Sequence, residues 1–245
     1  MLIVGSTDLG INASLLANSL CMNDLNYQSY RKNQENIIKE IQNDDNSNYR
    51  ITQTSNRYMY EGNLTANYDE PLSYGYNSIS GYTSSPDGSQ LNFLNKCGYP
   101  IYADCLTVVN TSILGIDSLL GVKYVLTSEK YTGLIKKNDT MKNNKYTYIN
   151  PYYMPFAFKC SNFKTIKNEE GYLNPFDYQN LLFKQLFNIS ENVYKPVKYS
   201  VLKKDDSNTE INLNTSHYKK MIYYGSIPWN STSESYIYNE KELIT

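Results

Sequence analysis

The sequence predicts an α+β fold, with a mixed α/β core over residues 1–190 and a β-rich, sandwich-like portion over 191–245. Three observations lead there. Asn110–Ser128 joins a helical pattern (Ile113, Ile116, Leu119, Leu120) to a strand-like run (Val122, Tyr124, Val125, Leu126) through the single Gly121, a residue suited to the left-handed end of a helix. A helix feeding a strand in this way is the second half of a βαβ unit and requires a sheet beside it. Asp24–Gln42 carries Tyr27, Tyr30, Ile37, Ile38 and Ile41 on one stripe, with charged residues largely outside it, the pattern of an amphipathic helix. Beyond Val193 the chain changes to short β-like runs at Val197–Leu202, Glu210–Leu213, Lys220–Tyr224 and Ser235–Tyr238, separated by polar turns, as in part of an antiparallel sandwich.

The remaining elements follow in order. Asp8–Leu20 reads as a short helix behind Thr7, and Asn43–Asn48 (NDDNSN) as a loop in which Asp44 and Asp45 form a solvated turn. Tyr49–Thr54 alternates as a strand does, with a second candidate at Arg57–Tyr60. Leu91–Tyr99 is helical, and Thr111 or Ser112 can cap the helix that begins the central unit. Tyr146–Ile149 and Pro155–Lys159 read as strands on either side of NPYYMP, whose prolines at 151 and 155 interrupt any ladder. Asn174 caps the next helix, with Pro175 at its first position and Asp177 at its positive end.

Pro71–Ser85 (PLSYGYNSISGYTSS) interleaves tyrosine with glycine, asparagine and serine and cannot pack as a plain core strand. It is either an edge strand with a flanking loop or a polar surface suited to hydroxylated ligands. Tyr74, Tyr76, Asn77, Ser80 and Tyr82 are the candidate sugar- or acceptor-binding residues. They join ring faces that stack on sugar C–H surfaces with amide and hydroxyl groups that bind sugar hydroxyls. The alternative is that these tyrosines fix a loop against Leu119–Leu126 and bind nothing.

Charge favours neither nucleic acid nor anionic lipid, since 23 basic and 24 acidic residues are scattered through the chain for a net charge of −1. No stretch is apolar for the roughly 18 residues that a membrane span requires. Met1–Val4 is too short and lacks the basic flank of a secretory signal, and reads as the stub of something removed. Cys21, Cys97, Cys105 and Cys160 show no CxxC spacing and there is one histidine, His217, so no metal site and no cofactor is expected. Cys97 and Cys105 are near enough to bridge in an oxidising compartment, although buried free thiols are the commoner state of such residues. Nucleotide-cradling glycine loops and a GxSxG elbow are absent. Glu169–Glu170 and Asp205–Asp206 lie in lysine-bearing loops, not against apolar walls that raise a pKa. No catalytic residue is assigned.

Several stretches together resemble the YfhO-type multi-pass membrane proteins of bacteria. They are Tyr49–Ile51, Tyr74–Ser85, Asp117–Val125 (DSLLGVKYV), Asn150–Phe158 (NPYYMPFAF) and Asn174–Asn180 (NPFDYQN). The resemblance covers roughly residues 45–200 and implies a GT-C-type glycosyltransferase. Such an enzyme uses a polyprenyl-phosphate sugar to decorate a cell-envelope polymer such as lipoteichoic acid outside the membrane. The catalytic acid expected of that family lies upstream of the matched region, near its first membrane helices. The chain is then an extracytoplasmic domain on the cell membrane's outer face, accessory and non-catalytic by itself. Its implied partners are the parent membrane helices and a polyprenyl-linked sugar or cell-wall polymer, with no nucleic acid. The rival reading is a secreted or surface carbohydrate-binding or adhesion module without enzymatic activity.

Overall fold

The computed structural model describes residues 2–20, 24–54, 59–60, 63–64, 69–82, 85–99, 106–107, 111–160, 174–196, 198–204, 209–213, 238–239 and 242–243. The fold is α+β, as the sequence predicts. Its elements in chain order are α1 (Leu2–Leu20), α2 (Asp24–Asp44), β1 (Arg50–Gln53), β2 (Met59–Tyr60), β3 (Asn63–Leu64), α3 (Glu70–Tyr74), β4 (Gly81–Tyr82), α4 (Gly88–Lys96), β5 (Leu106–Thr107), α5 (Leu114–Leu119), β6 (Val122–Thr127), β7 (Ile135–Lys136), β8 (Tyr146–Ile149), α6 (Pro175–Phe187), β9 (Tyr199–Lys204), β10 (Thr209–Leu213), β11 (Tyr238–Asn239) and β12 (Glu242–Leu243). The chain divides into two compact units, residues 1–159 and 160–245. The compositional boundary expected at residue 190 falls within the second, just beyond α6.

The first unit is organised on a four-stranded mixed sheet in the order β1-β6-β8-β7. β6 lies parallel to β1, with Ile51 opposite Tyr124 and Gln53 opposite Leu126, which supplies the parallel neighbour that the α5–β6 unit demands. β8 runs antiparallel to β6 and to β7. The apolar stripe of α2 packs on this sheet: Ile37, Ile38 and Ile41 meet Tyr49, Ile51, Tyr124 and Leu126 in one core cluster. Gly121 follows α5 at φ +72°, the left-handed residue that the sequence places at this turn.

Local expectations fail where other contacts compete. Neither Thr111 nor Ser112 caps α5. Its N-cap is Ile113 without a side-chain hydrogen bond, because Ser112 Oγ donates instead to Asp117 Oδ2 at 2.5 Å. Residues 155–159 form no strand. The backbone there is drawn off the sheet by Met154 N, which donates to Ser118 O at 2.9 Å. Asp45 is not a solvated turn residue, since its side chain is only 11% exposed beside Lys123.

In the second unit, Asn174 Oδ1 accepts from Asp177 N at 3.0 Å and caps α6 as expected. Asn180, on α6, both donates to Tyr194 O at 2.9 Å and accepts from Tyr194 N at 2.8 Å. That exchange pins the segment after the helix and brings the Tyr194 ring against Phe176 and Phe183. β9 and β10 pair as an antiparallel hairpin, and so do the two-residue strands β11 and β12. The strand expected at 220–224, His217 and the acidic pairs Glu169–Glu170 and Asp205–Asp206 lie outside the described residues.

Candidate functional site

Because β1 and β6 are parallel and β8 is antiparallel to them, the starts of β1 and β6 and the end of β8 share one end of the sheet. Four of the five stretches singled out in the sequence meet there. Arg50 N donates to Gly121 O at 2.8 Å, Ile51 N to Asn77 O at 2.8 Å, and Asn150 N to Lys123 O at 2.8 Å. The fifth, Asn174–Asn180, opens α6 in the second unit.

The tyrosine run lies along the open edge of β1. α3 ends at Gly75, whose left-handed backbone (φ 65°) turns the chain, and Gln42 Nε2 on α2 donates to Gly75 O at 3.2 Å. Tyr74 and Tyr76 are partly buried and pack against the core cluster. Burial, with the Glu70 charge nearby, pushes the Tyr74 phenol up to about 12 and the Tyr76 phenol well above its ordinary value. Both phenols therefore stay protonated at neutral pH. Asn77 is exposed. It meets Ile51 through its backbone carbonyl and Tyr49 O through its amide at 3.5 Å. Ser80 N donates to Ser78 Oγ at 3.1 Å, and the backbone of Tyr82 pairs with Leu106 in the short β4–β5 ladder. The structure thus brings Tyr74, Tyr76 and Asn77 together on the sheet edge, with the two rings packed on the core and Asn77 exposed.

Beside this edge stands an ionic and aromatic network that sequence composition concealed. Asp45 accepts from Lys123 Nζ at 2.5 Å, from Tyr124 Oη at 2.9 Å, and from Ser47 N and Oγ at 3.0 and 2.6 Å. Desolvation opposes ionisation of Asp45, but the hydrogen bonds from Lys123, Ser47 and Tyr124 prevail and hold its carboxyl well below the usual carboxylate range. Lys123 also lies over the Tyr153 ring, 4.6 Å from its centroid. A lone lysine in the apolar run VKYVL was the available signal for this network.

Asp117, within DSLLGVKYV, is fully buried and accepts from Tyr99 Oη at 2.6 Å and Ser112 Oγ at 2.5 Å. Burial raises its carboxyl to about 6 against those hydrogen bonds. Its neighbour Ser118 joins the buried Asn150, whose Nδ2 donates to Ser118 Oγ at 3.0 Å and to Val122 O at 2.9 Å. Asp117 and Ser118 thus tie α5 to two separate segments.

A second buried cluster lies between α2 and the sheet. Glu70 and Lys145 are each almost fully enclosed, at 1% and 2% exposure. Gln34 and Gln53 donate to Glu70 Oε2 at 2.8 and 2.7 Å and accept from Lys145 Nζ at 3.1 and 2.9 Å. Two amides thereby relay a carboxylate to an ammonium. No signal in the polar run KKNDTMKNNK marks Lys145 as the buried lysine.

Cys97 is buried, and desolvation pushes its thiol up to about 12; Cys105 lies outside the described residues. Among the described residues there is no group of three or more histidine, cysteine or acidic side chains placed to hold a metal ion, and no helix long and apolar enough to cross a membrane.

This α+β chain, with its motif-bearing sheet end, falls within a family of bacterial membrane proteins. Residues 1–245 match the family described as Bacterial membrane protein YfhO, and the chain belongs to that family. No curated protein and no solved structure matches it significantly.

Proposed function

We propose that the chain is the extracytoplasmic domain of a YfhO-like membrane glycosyltransferase. Such an enzyme transfers a sugar from a polyprenyl-phosphate donor to a cell-envelope polymer such as lipoteichoic acid. In this reading the domain is accessory and non-catalytic, and its partners are the membrane helices of the same protein and the polyprenyl-linked sugar or polymer. The observation that carries the reading is the family match over the whole chain. The accessory role is supported by what holds the carboxylates withdrawn from water. Glu70, Asp117 and Asp45 are each engaged by partners within the fold, whereas a general acid or base must lie within hydrogen-bond reach of a proton on the substrate.

The surface we propose for the acceptor or the donor's sugar is the β1 edge bearing Tyr74, Tyr76, Asn77, Ser80 and Tyr82. A few solvent-competed hydrogen bonds of about 1 kcal/mol each give an affinity on the order of millimolar for the chain alone. Asn77→Ala separates binding from folding, because it removes an exposed side chain whose contact with the fold, to Tyr49 O, is long at 3.5 Å, while the backbone bond from Ile51 N to Asn77 O remains. Stability is expected to stay within about 0.5 kcal/mol, while the intact membrane protein decorates its polymer roughly fivefold less. Full decoration by this variant overturns the site.

A further inference from the structure

Residues 151–158, Pro-Tyr-Tyr-Met-Pro-Phe-Ala-Phe, include no charged side chain, no amide and no aliphatic hydroxyl, in a chain with 31 asparagines and a mean hydropathy of −0.56. Their backbone is nevertheless held firmly. Asn150, fully buried, accepts from Tyr152 N at 3.0 Å through Oδ1, and Ser118 O accepts from Met154 N. Prolines at 151 and 155 fix φ on either side of Tyr152 and Tyr153. The loop so held turns its aromatics outward: Tyr152 is 63% exposed, Phe156 43% and Phe158 38%. Basic groups accompany them. The Arg50 guanidinium donates to Leu120 O and sits 4.4 Å from the Phe156 ring centroid, and Lys159, next in sequence to Phe158, is exposed.

We propose that this loop is a membrane-interface contact, with Tyr152 and Phe156 seated in the headgroup layer of a lipid bilayer and Lys159 facing anionic headgroups. Aromatic rings with basic neighbours are what that layer selects, and the chain belongs to a family of membrane proteins. A sugar is the poorer occupant, because residues 151–158 offer rings but no side-chain amide, carboxylate or aliphatic hydroxyl to hold its hydroxyls. The contact uses other residues than the proposed sugar surface on the β1 edge and stands whether or not that surface binds a sugar.

The test places a reporter at Tyr152. In the chain carrying Tyr152→Trp and Trp229→Phe, emission is expected to shift to the blue and to be quenched by phosphatidylcholine–phosphatidylglycerol vesicles whose lipids are brominated near the headgroup. The effect should weaken as salt is raised. Tyr152→Ser, at an exposed position where unfolding is not at issue, should lower co-sedimentation with the same vesicles roughly fivefold or more. Emission that vesicles leave unchanged overturns the proposal. So does a shift produced instead by a cell-wall polymer or by raising the protein concentration, results that give the loop to a sugar or to a second copy of the chain.

Discussion

Glu70→Ala is expected to destabilise the first unit by about 3–5 kcal/mol, the usual cost of breaking a buried pair by removing one partner. The carboxylate holds the amides of Gln34 and Gln53, and their carbonyl oxygens in turn hold the Lys145 ammonium. With Glu70 gone, a charge enclosed at 2% exposure is left without its counter-ion. Because Glu70 begins α3, the same change also frees the turn that delivers Tyr74 and Tyr76 to the core. Urea unfolding measures the loss, and a value under about 1 kcal/mol contradicts the relay.

The pair also shapes stability against pH. Burial pulls the Lys145 ammonium down from 10.5 to about 8, with the Glu70 charge partly opposing it. Between about pH 8 and 10.5 the unfolded chain keeps this proton and the folded chain has lost it, so the lysine makes stability rise with pH across that window. Above about pH 10 the sign reverses. The phenols of Tyr74, Tyr76, Tyr99 and Tyr124 are all raised from 10, chiefly by burial. They ionise first in the unfolded chain, and stability falls. Denaturation across this range should show a maximum near pH 9–10, and Lys145→Met should flatten its rising limb.

Gly121→Val is expected to cost about 3 kcal/mol or more, the sum of left-handed strain and overpacking. The backbone there stands at φ +72°, and an added Cβ meets Phe156 Cδ1 at 2.9 Å, Phe156 Cε1 at 3.0 Å and Met154 O at 3.1 Å. The ring can swing, but Met154 is fixed by its bond to Ser118 O, so relief requires moving the aromatic loop. Gly75 supplies the internal control. It is also left-handed, at φ +65°, but a Cβ there meets nothing within 4 Å, and Gly75→Ala should cost only about 1 kcal/mol. Thermal melts of the two variants separate conformational strain from collision, and equal losses contradict the close approach at Gly121.

Elements carried by short-range pattern were legible in the sequence: the α2 stripe, the Gly121 turn, the Tyr146–Ile149 strand and the Asn174 cap. Each depends on residues within a turn or two of one another. What escaped depends on distant partners. Glu70 finds Gln34 36 residues away, and Lys145 finds Gln34 111 residues away, so neither shows in local composition. α3 was hidden because Pro71 and Gly75 in a serine- and tyrosine-rich run read as loop. Asp45, in a loop that looks solvated, is withdrawn by Lys123, 78 residues on. The tyrosine run was recognisable as unusual. Which of its side chains face water, Asn77 more than Tyr74 or Tyr76, is decided by the α2–sheet core.

We propose that the chain serves, without catalysing, sugar transfer by a membrane enzyme. The most direct measurement follows a radiolabelled sugar from a polyprenyl-phosphate donor to lipoteichoic acid, comparing the chain alone with the intact membrane protein in vesicles. The expected result is transfer by the intact protein and none by residues 1–245. Transfer by the chain alone, or none by the intact protein with any polyprenyl-linked sugar and envelope polymer, contradicts it.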